Sequence, residues 1–258
     1  MSDDYSNFIQ IIKQQTGIDL SLYKEAQMKR RLTSLYEKRG HSSFMGYYDA
    51  ISFNELFFKE FLERITINVS EFYRNPQRWE ALDNRILPNL LKGKPKLAAW
   101  SAGCSTGEEA YSLAMIMSKR TSLTNVSVLA TDIDENALQK AKMGLYSNRL
   151  LTDLPESFKE KYFIKQGMFY KLSNELINQV IFDRQNILTS TFNSQFDLIV
   201  CRNVMIYFTE EAKYLLYQKL SDALSPGGIL FVGSTEQVVN PSKYRLSVVE
   251  PFFYRKQS

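Results

Sequence analysis

The chain has 258 residues, 44% apolar and 23% charged, enough to bury a sizeable core and near the upper limit for one domain, so one domain with an appendage or two domains are expected. Its 17 Phe and 15 Tyr exclude low-complexity disorder, and no stretch approaches the roughly 20 apolar residues that a membrane helix needs. A net charge of +4 is too mild to indicate nucleic-acid binding by itself, two Cys cannot form a disulfide framework, and a lone His41 excludes catalysis built on several histidines and any His-rich metal site, so no metal is expected.

The start, Met1-Ser2-Asp3-Asp4, is acidic and lacks the basic and apolar segments of a signal peptide, so the expected location is the reducing cytoplasm. From there to residue 75 the apolar spacing is helical, interrupted at Gly17, at Gly40-His41-Ser42-Ser43 and at Ser52-Phe53-Asn54. This predicts three or four short helices in an all-α N-terminal domain, 1–75, linker included. In the second helix Met28, Leu32, Leu35 and Tyr36 form an apolar stripe, and Lys24, Arg31 and Lys38, spaced by seven, are expected to face solvent beside it. Between Lys24 and Arg39 six basic residues stand against Glu25 and Glu37. Such a line is either a solvated helix face or a docking surface for an acidic partner.

Pro76 suits a first helical turn, and a helix carrying Trp79, Leu82, Ile86 and Leu90 follows until Lys92-Gly93-Lys94-Pro95 stops it. A strand over 96–101 then runs into Gly103-Cys104-Ser105-Thr106-Gly107 and a helix from Glu108, and a second strand, 126–131, ends at Asp132-Ile133-Asp134 before a helix to about Lys142. Strands are also expected over 196–201 and 229–233, separated by a helix over 210–224 and the turn Ser225-Pro226-Gly227-Gly228. The alternation predicts a doubly wound α/β domain, 76–258, with a parallel sheet. An insertion at about 162–183, with alternating stretches at Phe163-Ile164, Met168-Tyr170-Leu172 and Val180-Phe182, reads as a small antiparallel element.

A strand, a glycine turn and a helix N-terminus make a nucleotide-cofactor site, and Asp132, 25 residues beyond Gly107, stands where a ribose diol needs a carboxylate. The loop lacks the G-x-G-x-x-G pattern, and Glu108 and Glu109 in the first turn would repel a pyrophosphate. Cationic sulfonium and ammonium groups suffer no such penalty, so S-adenosylmethionine fits and NAD does not. The same two glutamates could instead simply complement the helix dipole. Three further segments fall where the site would be completed: the polar loop 66–75, the turn Asp183-Arg184-Gln185-Asn186-Ile187-Leu188, and Cys201-Arg202-Asn203-Val204-Met205-Ile206-Tyr207-Phe208 after a strand's carboxyl end.

The combination N-V-S-E-F-Y-R, W-S-A-G-C-S-T-G-E-E-A-Y-S, A-T-D-I-D, C-R-N-V-M-I-Y-F and G-S-T-E resembles the chemotaxis receptor glutamate O-methyltransferases (CheR) over nearly the whole chain. The resemblance implies a Rossmann-like methyltransferase domain with a small antiparallel β insertion, preceded by an all-α domain that recognises receptors. It implies S-adenosylmethionine as methyl donor, S-adenosylhomocysteine as product, and glutamates on the cytoplasmic helical domain of chemotaxis receptors as acceptors. Around the cofactor it places Asn68, Ser70, Arg74, Glu108, Asp132, Asn186, Ile187, Arg202 and Asn203, with Arg74 and Tyr207 as catalytic candidates on the acceptor side. Ser70 stands where the family more often has Thr, and in some members the insertion docks a receptor's tethering peptide. Lys24, Arg30, Arg31 and Lys38 become the candidate receptor-binding residues, since the acceptor region is acidic. A monomer is expected, with no nucleic acid bound and no membrane insertion.

Carboxylate methylation suits a chain with one histidine, because a glutamate with a pKa near 4.3 is ionised at neutral pH and needs no general base. Arg74 could orient the incoming carboxylate with a forked pair of hydrogen bonds, or pair structurally with Glu71, and Tyr207 could equally be core. Asp132, at a strand end, is expected to contribute little to packing, and Cys104 and Cys201 are expected to be small buried fillers. A nucleic-acid amino-methylase would carry Asp/Asn-Pro-Pro-aromatic after Cys201, where Asn203-Val204-Met205-Ile206 has no proline. A cofactor-binding module without catalysis is the remaining alternative.

Overall fold

The computed structural model describes residues 4–66, 68, 70–94, 96–192 and 195–257. Outside them lie residues 1–3 of the acidic start, Ile67 and Val69 of the polar loop, and Pro95, expected to stop a helix. Two compact units result: the chain up to Asn68 together with Val204–Leu216, and residues 70–203 with 217–257.

The helical unit contains α1 (Asp4–Thr16), α2 (Glu25–Lys38), α3 (Phe44–Phe53) and α4 (Glu55–Ile65), with a tight turn at Leu20–Leu22 between the first two. α1 closes at Gly17, whose φ of +71° lets its N–H reach Lys13 O at 2.9 Å. α3 and α4 begin where short polar side chains take up N–H groups the first turn leaves unpaired: Ser43 Oγ accepts from Gly46, and Asn54 Oδ1 from Leu56 and Phe57. The Asp4 carboxylate accepts N–H bonds from Phe44 at 2.7 Å and Met45 at 3.2 Å, tying the start of α1 to that of α3. Inside, Phe8 lies 5.7 Å from Phe44 and 5.9 Å from Phe61 by ring centroid, and the expected stripe of α2 buries Met28, Leu32 and Leu35. Each such side chain contributes about 1.5–3 kcal/mol.

The later segment joins this unit through the Tyr23–Phe208 bridge, whose rings lie 5.0 Å apart, and through Lys24 N–H donating to Tyr207 O at 2.9 Å. That corrects the expectation of a solvent-facing line of cations on α2. Lys38 is exposed, but Lys24 is half-buried, and the half-buried Arg31 guanidinium sits 4.9 Å from the Tyr207 ring centroid. Residues bordering an apolar stripe meet whatever packs along its rim, and here that is a segment more than 160 residues away in sequence, beyond the reach of local periodicity.

In the α/β unit the strands are β1 (Leu97–Ala102), β2 (Val126–Asp132), β3 (Leu145–Ser147), β4 (Phe163–Gln166), β5 (Phe169–Leu172), β6 (Val180–Arg184), β7 (Phe196–Cys201), β8 (Leu224–Val232), β9 (Leu246–Glu250) and β10 (Phe253–Lys256). Seven form one sheet in the order β6-β2-β1-β7-β8-β10-β9, the first five parallel and β10 antiparallel to both its neighbours. This is a Rossmann-like arrangement. β1, β7 and β8 read as near-continuous apolar runs because both faces of a parallel sheet are covered; Trp100, Leu198, Ile199, Val200, Leu230 and Phe231 are fully buried. The chain order reverses between β1 and β7, the position at which open α/β sheets bind ligands beyond the strands' carboxyl ends.

The helices of this unit are α5 (Pro76–Ala81), α6 (Leu87–Leu90), α7 (Glu108–Met117), α8 (Glu135–Met143), α9 (Glu156–Tyr162), α10 (Asn174–Ile177) and α11 (Glu210–Ala223), the last beginning in the helical unit. α5 and α6 are the expected single helix interrupted by a wider turn at Leu82–Ile86, where Pro88 cannot donate the regular backbone bond.

The insertion needs a correction. Its small sheet runs β3-β5-β4, while Val180–Arg184, expected within it, is the parallel edge strand of the main sheet, with Val128 opposite Val180 and Asp132 opposite Arg184. Alternation along a segment reports which faces are apolar and not which strand it pairs with. The replacement partner, three residues long, is too short to show a period.

Candidate active site

The glycine loop is anchored from both sides. Gly103 and Cys104 donate their N–H groups to Thr131 O at 2.8 and 3.0 Å, and Ser105 N–H donates to Asp132 Oδ2 at 2.8 Å. The other carboxylate oxygen accepts from Asp134 N–H at 3.0 Å, so Asp132 fastens the loop and the start of α8 together. Gly107 stands at φ +93°, where a Cβ would lie 2.9 Å from that of Ala141, so only glycine lets α7 approach α8 this closely. Ser105, at φ +49°, holds a left-handed conformation without that freedom. Tyr146, on β3, donates its hydroxyl to Thr106 O at 2.8 Å and places its ring edge-on to Phe72.

Two carboxylates open α7, Glu108 buried and Glu109 half-buried. Glu108 accepts the Thr106 hydroxyl on both oxygens, at 2.7 and 2.8 Å, and is also hydrogen-bonded to Ser70; burial nonetheless pushes its pKa up. Glu109 accepts from Ser101 Oγ at 3.0 Å and faces Arg202, with Nη1 3.8 Å from Oε2. Burial pushes the Glu109 pKa up to about 7 against the pull of Arg202. Asp132 is likewise raised by burial, opposed by its backbone hydrogen bonds.

Beyond β7, the Arg202 side chain is buried against the rings of Trp79 and Phe231, which meet each other edge to face, its guanidinium 5.2 and 4.8 Å from their centroids. Its Nη2 donates to Arg74 O and to Asn75 Oδ1, both at 2.9 Å. The turn it grips is strained: Tyr73 and Asn75 have φ of +57° and +61°. Trp79 Nε1 donates to the same Arg74 carbonyl at 3.0 Å, and Tyr73 N–H to Ser112 Oγ at 3.0 Å. Asn203, at φ +62°, is held by Glu236, whose Oε2 accepts both Asn203 N–H and Gly233 N–H, at 2.6 and 3.0 Å. At the end of β6, Gln185 N–H bonds Asp132 O at 2.9 Å, Asn186 Oδ1 caps the following turn through Leu188 N–H at 3.0 Å, and Ile187 is buried.

Of the residues singled out in the sequence, Ser70, Arg74, Glu108, Asp132, Asn186, Ile187, Arg202 and Asn203 lie in the α/β unit, on the segments that follow β1, β2, β6 and β7 or that bond to them. Asn68 and Tyr207 lie in the helical unit, with Lys24, Arg30, Arg31 and Lys38. Cys104 and Cys201 are buried thiols pushed well above the ordinary range by burial, in keeping with inert fillers. Sequence reasoning missed Tyr146 and Glu236, and gave Glu109 no role beyond charge; the G-S-T-E string directly after β8 was the available signal for Glu236.

The donor set suits one kind of cofactor. Helix α7 opens on one buried and one half-buried carboxylate, a poor seat for pyrophosphate and a good one for a cationic sulfonium or ammonium group. Asp132, with lone pairs beyond the two N–H bonds it accepts, stands at the strand end where a ribose diol fits.

A Rossmann-like sheet with an acidic glycine loop at its switch point defines an S-adenosylmethionine-dependent methyltransferase. Residues 68–252 match the family model described as CheR methyltransferase, SAM binding domain, and residues 3–66 that described as CheR methyltransferase, all-alpha domain. The chain is 42% identical over 257 residues to a chemotaxis protein methyltransferase of Listeria innocua, covering 99% of this chain and 98% of the relative. It is 31% identical to one of Borreliella burgdorferi, covering 98% and 94%, and 31% identical to chemotaxis protein methyltransferase 1 of Pseudomonas aeruginosa, covering 96% and 95%. The chain belongs to the CheR methyltransferase family. No helix among the described residues is long and apolar enough to cross a membrane.

Proposed function

We propose that the protein acts in the cytoplasm, as a monomer, to convert glutamate side chains of the cytoplasmic helical domain of chemotaxis receptors into methyl esters. The observation that carries this reading is the full-length match to chemotaxis protein methyltransferases, all-α domain included, around a site that offers no imidazole base. In the α/β unit Asp132 is assigned to the ribose, Glu108 and Ser70 to the cationic end of the cofactor, and Asn186 and Ile187 to the adenine.

S-adenosylmethionine, when bound, would supply an electrophilic methyl group to the carboxylate oxygen, the sulfur retaining the electron pair as a neutral thioether. Arg74 orients the acceptor carboxylate, and the strained turn holds Arg74 in place. The buried groups around α7 exclude water, which leaves the nucleophile partly desolvated. Proton transfer is unnecessary, because the acceptor is ionised before it arrives.

The helical unit is assigned to receptor recognition, as the resemblance implies. Its exposed Arg30 and Lys38, with Lys24 at the start of α2, suit an acidic helical bundle, whereas Arg31 is committed to the Tyr207 ring. Tyr207 is assigned to the acceptor and Asn68 to the cofactor on the resemblance alone.

Methyl transfer from radiolabelled S-adenosylmethionine to receptor-bearing membranes, compared with tRNA and duplex DNA, tests the function. Base-labile label on receptors, released as methanol, is expected; label on nucleic acid, or none on receptors, overturns the reading.

A further inference from the structure

The Arg202 guanidinium is enclosed on every side that the structure describes. Two aromatic rings that touch each other pack against it, Nη2 serves the 73–75 turn, Nη1 points to Glu109, and Nε is buried with no hydrogen-bond partner among the described residues. A cation so desolvated needs a counter-charge, and Arg74, of like sign, works against it. Glu109 supplies most of that charge from the first turn of α7, Glu236 a smaller part, and Glu109 is itself pinned by Ser101 at the end of β1. The chain of contacts therefore runs from β1 through Glu109 and Arg202 to the backbone carbonyl of Arg74.

We propose that Glu109 is a positioning residue that acts through Arg202 to hold the strained Tyr73-Arg74-Asn75 turn in the conformation methyl transfer uses. The inference rests on the assignment of Arg74 to the acceptor carboxylate. Two left-handed residues in one turn persist only where the surroundings over-determine them, and Arg202 makes two of the hydrogen bonds that do so. When Glu109 loses its charge, only the smaller pull of Glu236 is left to oppose burial and Arg74 at Arg202, and the cheapest relief is to pull away from the turn.

Protonation makes the link visible. Glu109 faces Arg202 and Arg74, which favour its ionised form, and Glu236, which opposes it; the nearby Cys104 and Cys201 thiols are held neutral by burial. With its pKa near 7, Glu109 gains its charge as pH rises through neutrality, while the acceptor glutamate is ionised throughout. Turnover is therefore expected to rise through about pH 7 in the parent, and in Glu109→Gln to stay at the parent's low-pH level.

A double-mutant cycle tests the route. Glu109→Gln, Arg202→Met and the double variant are assayed at about pH 8 for methyl transfer to receptor-bearing membranes, with melting curves and S-adenosylhomocysteine titrations on each. Each single substitution should lower kcat by roughly tenfold to a hundredfold, as displaced catalytic groups do, with the KM for S-adenosylmethionine moving less. The double variant should be no slower than Arg202→Met. If Glu109→Gln slows the Arg202→Met enzyme by the same factor as the parent, or leaves the parent's kcat unchanged, the proposal is overturned. Should Glu109→Gln not fold, the parent's own profile carries the test, and a flat rate between about pH 6 and 8.5 overturns it. A parent that methylates receptors while the cycle is additive refutes only the link; a parent that does not methylate them refutes the functional reading.

Discussion

Replacing Asp132 with alanine should damage the protein in two separable ways. The carboxylate accepts Ser105 N–H at 2.8 Å and Asp134 N–H at 3.0 Å, so the substitution strands two largely buried donors and frees a loop whose Ser105 sits at φ +49°. Hydrogen bonds to a charged group are worth about 1.5–3 kcal/mol each. Part of that is returned, because burial raises the Asp132 pKa and removing the carboxylate removes its desolvation penalty. A net loss of about 2–3 kcal/mol results, which at about 2–4 °C per kcal/mol for a chain of this size lowers Tm by about 5–10 °C. The expectation that this strand-end carboxylate matters little to the fold is thus revised by the two bonds it accepts. Separately, loss of the ribose contact should weaken S-adenosylhomocysteine binding about tenfold to a hundredfold. Circular-dichroism melts and calorimetric titration read the two effects. A Tm within about 1 °C of the parent refutes the anchoring role, and an unchanged Kd refutes the ribose assignment. Asp132→Asn, which keeps one acceptor oxygen and turns an NH2 toward the other donor, should melt between the two.

Gly107→Ala forces a side chain into a left-handed residue and against Ala141 at 2.9 Å and Tyr111 at 3.1 Å, so about 2 kcal/mol or more should be lost in denaturant unfolding; parental stability would contradict the close packing of α7 on α8. Tyr146→Phe keeps the ring against Phe72 but removes the donor to Thr106 O, and should cost about 1 kcal/mol and raise the KM for S-adenosylmethionine; identical melts and kinetics would show that β3 does not brace the glycine loop. Arg30→Ala with Lys38→Ala should raise the receptor KM and flatten its salt dependence, most clearly at 0.01 M salt, where the Debye length is about 30 Å against about 8 Å at 0.15 M, with Tm nearly unchanged. Arg31→Ala should instead lower kcat and leave the salt slope alone, because its guanidinium rests on Tyr207; equal receptor kinetics for the first pair and the parent at low salt would make the exposed cations a solvated face.

The residues that sequence pattern located and those it missed differ in where their partners lie. Apolar runs such as Leu198-Ile199-Val200 announce buried parallel strands, and the residues at or just past the carboxyl end of such a strand sit at the ligand-binding edge of the sheet, so the positions of Asp132, Arg202 and Asn203 were legible. Val180–Arg184 was legible as a strand but not as part of the main sheet, since its partner Val128–Asp132 is specified by a crossover and not by anything within the segment. The antiparallel edge, β9 and β10, drew no expectation, and its bulge between Phe253 and Tyr254 interrupts the alternation that would have given it away. Glu109 and Glu236 carry the same difficulty into the site. By local pattern each is an ordinary glutamate near a helix or strand end, and each becomes an anchor only through a residue far away in the chain: Arg202 for the first, Asn203 for the second. Their targets and that of Asp132 share one property, since Tyr73, Asn75, Ser105 and Asn203 all hold left-handed backbone, which Asn tolerates and Tyr and Ser rarely adopt. A reaction that needs alignment and no proton transfer puts its demands on loop geometry, and in these loops Asp132, Arg202 and Glu236 stand where they can hold left-handed residues in place.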